Sequence, residues 1–436
     1  MKKLYILIVI FLSGCFFNID KTKDNKLELP KCQPCLVSKA EPVCGPDEVL
    51  VCKKIEPKVD IYKLREDEIP FFKRDFDESF KRAYNLTLEY INKVIDKNIM
   101  YGFEQRTVDI KTFRSTLLKL KEIIENSKND EEFNKKIREN FDIYELRKGT
   151  ENVLFSSYYE PIFEASLKKD KVYKYPIYRK PDDMYEINLE DFDKDKYKRQ
   201  KLTGRIVDKK FVPYYSRKEI DFDGVLKDKG YEIAYLKSMP DVLDLHTQGS
   251  GILKLKDGGY KRAKFAATNS LKFKGWMSYL IEKGYIRREG DVGKDKTFYE
   301  RAIDFINSRP DLWEEVFGSN SRYTFFSLDE VKSFDEGPIG TYGLNLVAER
   351  SIAVDNSLIP LGVIGYIKLK LPDIDEKLDI TGFSIKERFV FAHDTGGAIK
   401  GARIDYFAGT GERAKKFAYS VWDKGNLYLF IIKEDK

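Results

Sequence analysis

Apolar positions between residues 74 and 147 fall three and four apart. Phe76, Phe80, Tyr84, Leu88, Ile91 and Ile95 make one stripe, the period of a helix that buries a single face. Phe113, Leu117, Leu120 and Ile124 repeat it, and Asn129 or Asp130 can cap a third helix carrying Phe133 and Ile137. These stripes read as core faces rather than ligand sites. Past residue 150 the texture changes. Val153-Leu154-Phe155 leads into Ser156-Ser157-Tyr158-Tyr159-Glu160-Pro161, and residues 170–232 are strongly charged and broken by Pro176, Pro181 and Pro213. That pattern predicts short strands joined by exposed loops. Ile252 to Lys256, a turn at Asp257-Gly258-Gly259 and a return from Tyr260 predict a hairpin. Residues 275–284 and 297–308 look helical, with Tyr299, Ala302, Ile303 and Ile306 on one face. From about residue 336 the period becomes two. Ile367, Leu369 and Leu371 alternate with Lys368 and Lys370, a half-buried strand. Phe389 to Ala392, Ile404 to Phe407 and Leu427 to Ile432 add three more strands, with a short helix from Glu412. Several strands with one short helix suit a small closed barrel.

The chain has 436 residues, enough for two to three domains. Apolar residues make up 42%, with 30 Phe and 27 Tyr, so the composition is globular rather than disordered. Lys and Arg exceed Asp and Glu by 6, an excess too small to mark a nucleic-acid binder. Two histidines in the whole chain argue against histidine catalysis and a His-rich metal site. Beyond the N-terminus no apolar run approaches the roughly 18 residues that span a bilayer.

The N-terminus carries an export signal. Lys2 and Lys3 precede an apolar run from Leu4 to Leu12, too short for a transmembrane helix, and Leu12-Ser13-Gly14-Cys15 follows. This resembles a bacterial lipoprotein box, which implies cleavage before Cys15 and lipidation of its thiol. An ordinary signal peptide with a chance cysteine is the competing reading. Phe16 rather than Asp at the next position implies the outer membrane, with the protein facing the periplasm. Residues 15–31 then form a lipidated tether. Cys32, Cys35, Cys44 and Cys52 cluster in a segment, 32–57, with no catalytic logic. In an oxidising compartment they read first as two disulfides, of which three connectivities are open. A four-thiolate zinc site is the alternative.

The chain lacks a G-x-S-x-G elbow, a phosphate loop and an H-E-x-x-H helix. Its cysteines all lie outside the predicted core. What remains is carboxylates among Gly, Tyr, Thr, Ser and Gln, the composition of a carbohydrate groove. Residues 394–405, Asp-Thr-Gly-Gly-Ala-Ile-Lys-Gly-Ala-Arg-Ile-Asp, put two aspartates at the ends of a glycine-bearing turn between apolar strands. Glycines let backbone approach a ligand closely. An acid that works at neutral pH needs a raised pKa, which burial or a neighbouring carboxylate supplies. Arg403, on the same face as Asp405 in a regular strand, pulls the other way. The plainer reading of these residues is a surface Asp–Arg pair and a capped turn.

Further blocks extend the pattern: Ser156 to Pro161, Tyr215-Ser216-Arg217 with Glu219-Ile220-Asp221, Gln248-Gly249-Ser250-Gly251, Ala266 to Asn269, Asn320 to Phe326, Leu346 to Gly362, and Ala392 to Gly401 with Ile404-Asp405. In this order they resemble the membrane-bound lytic murein transglycosylase A family across about residues 75–436. The resemblance implies a mainly β fold with α: a double-psi β-barrel, as in barwin and expansins, with N-terminal helices and an inserted smaller β-rich domain. Residues 58–161 and 334–436 would form the barrel domain, and 162–333 the insert, with a glycan groove between them.

The resemblance also implies a reaction. Asp405 would be the single acid/base and Asp394 its support. Ser156, Tyr158, Glu160, Gln248, Ser250 and Lys400 would contact the sugar chain. Adjacent strand residues face opposite ways, so at most one of Tyr158 and Tyr159 should face the groove. The family's usual Thr-Gly is Ser156-Ser157 here, which keeps the hydroxyl and loses the glycine. The implied enzyme is a lyase that cuts between N-acetylmuramic acid and N-acetylglucosamine and closes a 1,6-anhydro ring. No metal or cofactor is expected. The expected partners are peptidoglycan strands, the membrane through the lipid and a cell-wall enzyme complex, with no nucleic acid. Two rivals remain: a non-catalytic peptidoglycan-binding lipoprotein, and a hydrolase using Asp394 or Glu160 as a second carboxylate.

Overall fold

The computed structural model describes residues 59–434, apart from 98–99, 105, 195, 198–199, 289–297 and 335. Cys15 and the cluster Cys32, Cys35, Cys44 and Cys52 lie outside the described residues. A first strand, β1 (Val59–Lys63), precedes three helices: α1 (Glu78–Val94), α2 (Ile110–Glu125) and α3 (Asp130–Asn140). Each helix starts on a side chain that accepts from its third residue: Asp77 from the Phe80 N–H, Asp109 from Thr112 and Asn129 from Glu132. Such caps satisfy amides that the helix itself cannot. The stripes bury Phe80, Tyr84 and Ile91 on α1, Phe113, Leu117 and Leu120 on α2, and Phe133 and Ile137 on α3.

The chain then enters a sheet with β2 (Phe141–Lys148) and β3 (Val153–Glu160) and leaves it for a separate layer. That layer holds β4 (Ile162–Ser166), β5 (Tyr175–Tyr178), β6 (Glu232–Leu236), helix α4 (Met239–Gln248), β7 (Ser250–Leu255), β8 (Tyr260–Thr268), helix α5 (Phe298–Ser308) and β9 (Thr324–Glu330). Its six strands run in the order β9-β8-β7-β4-β6-β5 over a core of Val242, Leu245, Leu253, Ala263, Ile306 and Phe326. The β7–β8 hairpin is the one its turn signal predicts, with Lys254 opposite Tyr260. A small antiparallel sheet, Tyr185–Asn188, Lys201–Val207 and Lys210–Pro213, lies inside the charged stretch.

The chain returns through β10 (Ser351–Ala353), β11 (Ile364–Ile374), β12 (Ile380–Asp394), β13 (Arg403–Thr410), helix α6 (Glu412–Ser420) and β14 (Trp422–Ile432). Pairing runs β14-β11-β12-β10-β13-β3, and β3 pairs again with β14, so six strands close into a barrel. β2 and then β1 extend the sheet from β14. This is the expected class: β with α, a closed barrel, N-terminal helices and a β-rich insertion. Closure removes free strand edges.

Helices and barrel share one core. The Phe80 ring meets Phe389 and Phe391 at 5.8 and 5.6 Å. Arg350, fully buried, ties them electrostatically: its Nη1 donates to Asp75 Oδ1 at 2.6 Å and to the Phe389 carbonyl at 2.9 Å, and its Nη2 lies 3.0 Å from Asp77 Oδ1. Among the described residues, no helix is long and apolar enough to cross a membrane.

Candidate active site

Four adjacent strands put four short side chains in one row. Ala353 on β10 is in register with Asp394 on β12 and with Asp405 on β13, and Asp405 is in register with Ser156 on β3. Registered neighbours share a face of the sheet. Ser156 Oγ accordingly donates to Asp405 Oδ1 at 2.8 Å. Arg403, two residues before the aspartate, donates to the same Oγ from Nε at 3.3 Å and Nη2 at 3.1 Å.

Asp394 is held on both oxygens. Its Oδ1 accepts from the Thr341 N–H at 2.9 Å and from Thr341 Oγ1 at 2.8 Å, and its Oδ2 accepts from the Tyr158 hydroxyl at 2.9 Å. Tyr158 packs its ring on Phe407, 5.2 Å between centroids. Tyr159 points the other way into buried contacts, as strand alternation requires. Ser157 stands in regular strand, and its hydroxyl caps the Tyr406 carbonyl at 2.6 Å. Loss of the family glycine therefore leaves the local backbone extended.

The two aspartates differ in their surroundings. Burial raises Asp405 to about 6; the Ser156 hydrogen bond and the Arg403 charge pull it down, and Asp394 pushes it up. Burial also raises Asp394, against the donors from Thr341, Thr395 and Tyr158. A third aspartate, Asp355, supports the glycine turn: its Oδ2 accepts from the Gly401 N–H at 2.9 Å. Burial pushes Asp355 up, but Gly401, Ser357 and Lys400 outweigh it and hold its pKa below the usual value.

The inserted layer meets the barrel beside this row at two places. Gln248 ends α4, which Gly249 terminates in the left-handed conformation at φ 82°. Gln248 Oε1 accepts from the Tyr159 N–H at 3.2 Å, and its Nε2 donates to Asp244 Oδ1 at 3.2 Å. Asp244 also accepts from the hydroxyls of Tyr159 and Tyr419, at 2.7 and 2.9 Å. Ser250, the first residue of β7, is buried. At the second place, Arg322 closes on the 394–397 turn. A Cβ at Gly397 would come 2.2 Å from Arg322 Nη1, so glycine permits the approach.

One of the expected sugar contacts sits differently. Glu160 is fully buried and holds Arg262 through Oε1 at 2.7 Å and Oε2 at 3.2 Å, with Thr410 Oγ1 donating at 3.1 Å. It joins β3 to β8, and both carboxylate oxygens are engaged. Lys400 is exposed, with its Nζ 4.0 Å from Asp355 Oδ1. The structure also adds residues that sequence reasoning did not single out as site residues: Thr341 in a loop before β10, Arg322, and Trp422. Trp422 stands opposite Ser156 in the β3–β14 pairing and is 51% exposed. An exposed tryptophan beside polar strand residues leaves no periodicity signal.

Residues 154–327 match the family model of the MltA specific insert domain, and residues 350–431 match that of the 3D domain. The first spans the inserted layer and the second contains all three aspartates. The chain belongs to the membrane-bound lytic murein transglycosylase A family. It is 29% identical over 265 residues to the membrane-bound lytic murein transglycosylase A of Escherichia coli K12, an alignment that covers 60% of this chain and 61% of that protein. The fold matches the crystal structure of a membrane-bound lytic murein transglycosylase from Agrobacterium tumefaciens, with a TM-score of 0.66 and 24% identity over 86% of this chain and 98% of the other. It matches E. coli MltA with bound chitohexaose at a TM-score of 0.61 and 20% identity, over 86% and 95%. Barrel, helices and insertion are thus the MltA family's fold.

Proposed function

We propose that this chain is a lytic transglycosylase. It cleaves the β-1,4 bond between N-acetylmuramic acid and N-acetylglucosamine in peptidoglycan and leaves a 1,6-anhydromuramoyl end. The observation that carries the reading is Asp405: a carboxyl lifted to about 6 by burial, with Oδ1 held by Ser156. Its other oxygen, Oδ2, is the one that handles the proton. The E. coli relative with bound chitohexaose, a β-1,4 sugar chain, supports a glycan as the ligand.

One carboxyl serves both steps. Protonated Asp405 gives its proton to the glycosidic oxygen, and the bond from that oxygen to the muramoyl C1 breaks. The muramoyl C6 hydroxyl then attacks C1, and its proton passes to the Asp405 carboxylate, which restores the acid. Ordinary glycosidases need a second carboxylate to activate water or act as nucleophile. Here the attacking hydroxyl belongs to the substrate, so proximity replaces the second residue. Asp394 and Glu160, the candidates for a second carboxylate, both have their oxygens occupied. Asp394 acts as support, raising Asp405 through its charge and holding Tyr158 on the groove side. Ser156, Tyr158, Gln248 and Ser250 line the path of the sugar chain, and Lys400 reaches its outer edge.

The protein works from the outer membrane, attached through lipid on Cys15 and facing the periplasm. Cys15→Ser should release it from the membrane fraction, and unchanged fractionation would end that part of the reading. For the activity, purified protein is incubated with sacculi and the soluble muropeptides are weighed by mass spectrometry. Muramoyl ends lighter by one water support the lyase; reducing ends would replace it with a hydrolase.

A further inference from the structure

Trp422 is the first residue of β14 and faces Ser156 across the antiparallel β3–β14 pair. Directly opposed residues put their side chains on one face, so the indole shares the face of the Ser156 hydroxyl. It is large, apolar and half exposed, beside a half-buried acid. The Arg403 guanidinium carbon lies 5.2 Å from the indole centroid, within cation–π range. From that position Arg403 reaches Ser156 Oγ with Nε and Nη2, and its Nη1 reaches the Ala398 carbonyl of the glycine turn at 3.4 Å. A second guanidinium, Arg288, lies 5.4 Å from the same ring.

We propose that Trp422 is a positioning residue for the acid: its indole holds Arg403 against Ser156, and Ser156 holds Asp405 so that Oδ2 is presented to the substrate. The proposal rests on the reading of Asp405 as the acid/base. An arginine beside an open groove has many rotamers, and its hydrogen bonds must overcome that freedom. A flat aromatic face removes much of it, because guanidinium stacks on indole while its edge N–H groups stay free to donate. Two donors on Ser156 Oγ polarise the hydroxyl, which strengthens its own bond to Asp405.

The surroundings of Asp405 make Arg403 the cation that matters among the described residues. From β12 comes Asp394, with Tyr158 of β3 bonded to it; β10 presents Ala353; β14 presents Trp422. Arg403 is the cation that lowers Asp405, and Asp394 opposes it. Freeing Arg403 therefore raises the Asp405 midpoint further.

The test compares Trp422→Leu, Trp422→Ala and Trp422→Phe with the wild type in the full chain. Carbon-13 NMR of labelled aspartate carboxyls, with Asp405→Asn to assign the signal, reads the Asp405 midpoint without substrate. The midpoint should rise by roughly half a unit to one unit in the Leu and Ala variants and return toward wild type in Phe. On sacculi, kcat should fall about tenfold with a smaller change in KM, and Phe should recover most of it. An unmoved midpoint, or a raised KM with intact kcat, would overturn the proposal and leave Trp422 a plain sugar contact. Equal failure of Phe and Leu would do the same. If the midpoint moves but the wild type releases no anhydro ends, the positioning relay stands and the activity reading fails.

Discussion

Ser156 Oγ and Asp405 Oδ1 are 2.8 Å apart, although 249 residues separate them in the chain. Barrel closure makes the meeting, because β3 pairs in parallel with β13 and sets the two residues in register. The serine hydroxyl donates to the ionised carboxyl, so it lowers the aspartate pKa against the larger effect of burial. Ser156→Ala should raise that pKa and move the high-pH limb of kcat/KM upward, with kcat reduced about tenfold by the loss of orientation. A pH–rate series on solubilised sacculi reads both effects. A limb that moves downward would contradict the assignment of the hydrogen bond.

Asp405 also leaves a trace in stability. Its folded pKa is about 6 against the ordinary 3.8, so the folded state resists ionisation. Between those values the folded chain binds more protons than the unfolded chain, and stability falls as pH rises through the window. At about 1.4 kcal/mol per unit, the ionised group costs the fold on the order of 3 kcal/mol at pH 7. Asp405→Asn removes that cost. The variant should be inactive yet more stable than wild type at pH 7, and the advantage should vanish near pH 4. Denaturant midpoints at the two pH values check the sign. A variant equally destabilised at both would show that the carboxyl is not held above its ordinary range.

Glu160 should behave as a structural anchor. Its pair with Arg262 is buried on both sides, at 0% and 8% side-chain exposure. Glu160→Gln leaves the guanidinium without its counter-charge, and breaking a buried pair in this way costs about 3–5 kcal/mol. Thermal unfolding should show the loss. The surviving folded protein should still make anhydro ends, because Glu160 takes no part in the chemistry. A switch to loss of product with full stability would return Glu160 to the site.

Much of this fold is written in local periodicity. The stripes on α1, α2 and α3, their Asp and Asn caps, and the β7–β8 turn all follow from residues close in sequence. β10 does not, because Ser351–Ala353 is too short to show a period, yet its Ala353 carries the register that sets Asp394 on one side of it and Asp405 on the other. β12 begins at Ile380, well before the apolar run Phe389 to Ala392, because its first half is a two-stranded ribbon with β11 that leaves Thr381, Phe383, Ile385 and Lys386 exposed and so shows no buried apolar face. At the site, the segment 394–405 stood out through its glycines and paired aspartates. Thr341, Arg322 and Trp422 did not, since each reaches the row from a distant segment and carries no local signal. The burial of Glu160 was equally hidden, because its partner Arg262 lies 102 residues away on another layer.

In this mechanism the nucleophile comes from the substrate. Sacculi digested in water enriched with oxygen-18 test it most directly, with the released muropeptides weighed by mass spectrometry. Attack by the C6 hydroxyl should leave muramoyl ends with no oxygen-18, each lighter by one water than a reducing end, and Asp405→Asn should release no such products. Reducing muramoyl ends carrying one oxygen-18 atom would show that water attacks C1 and would contradict it.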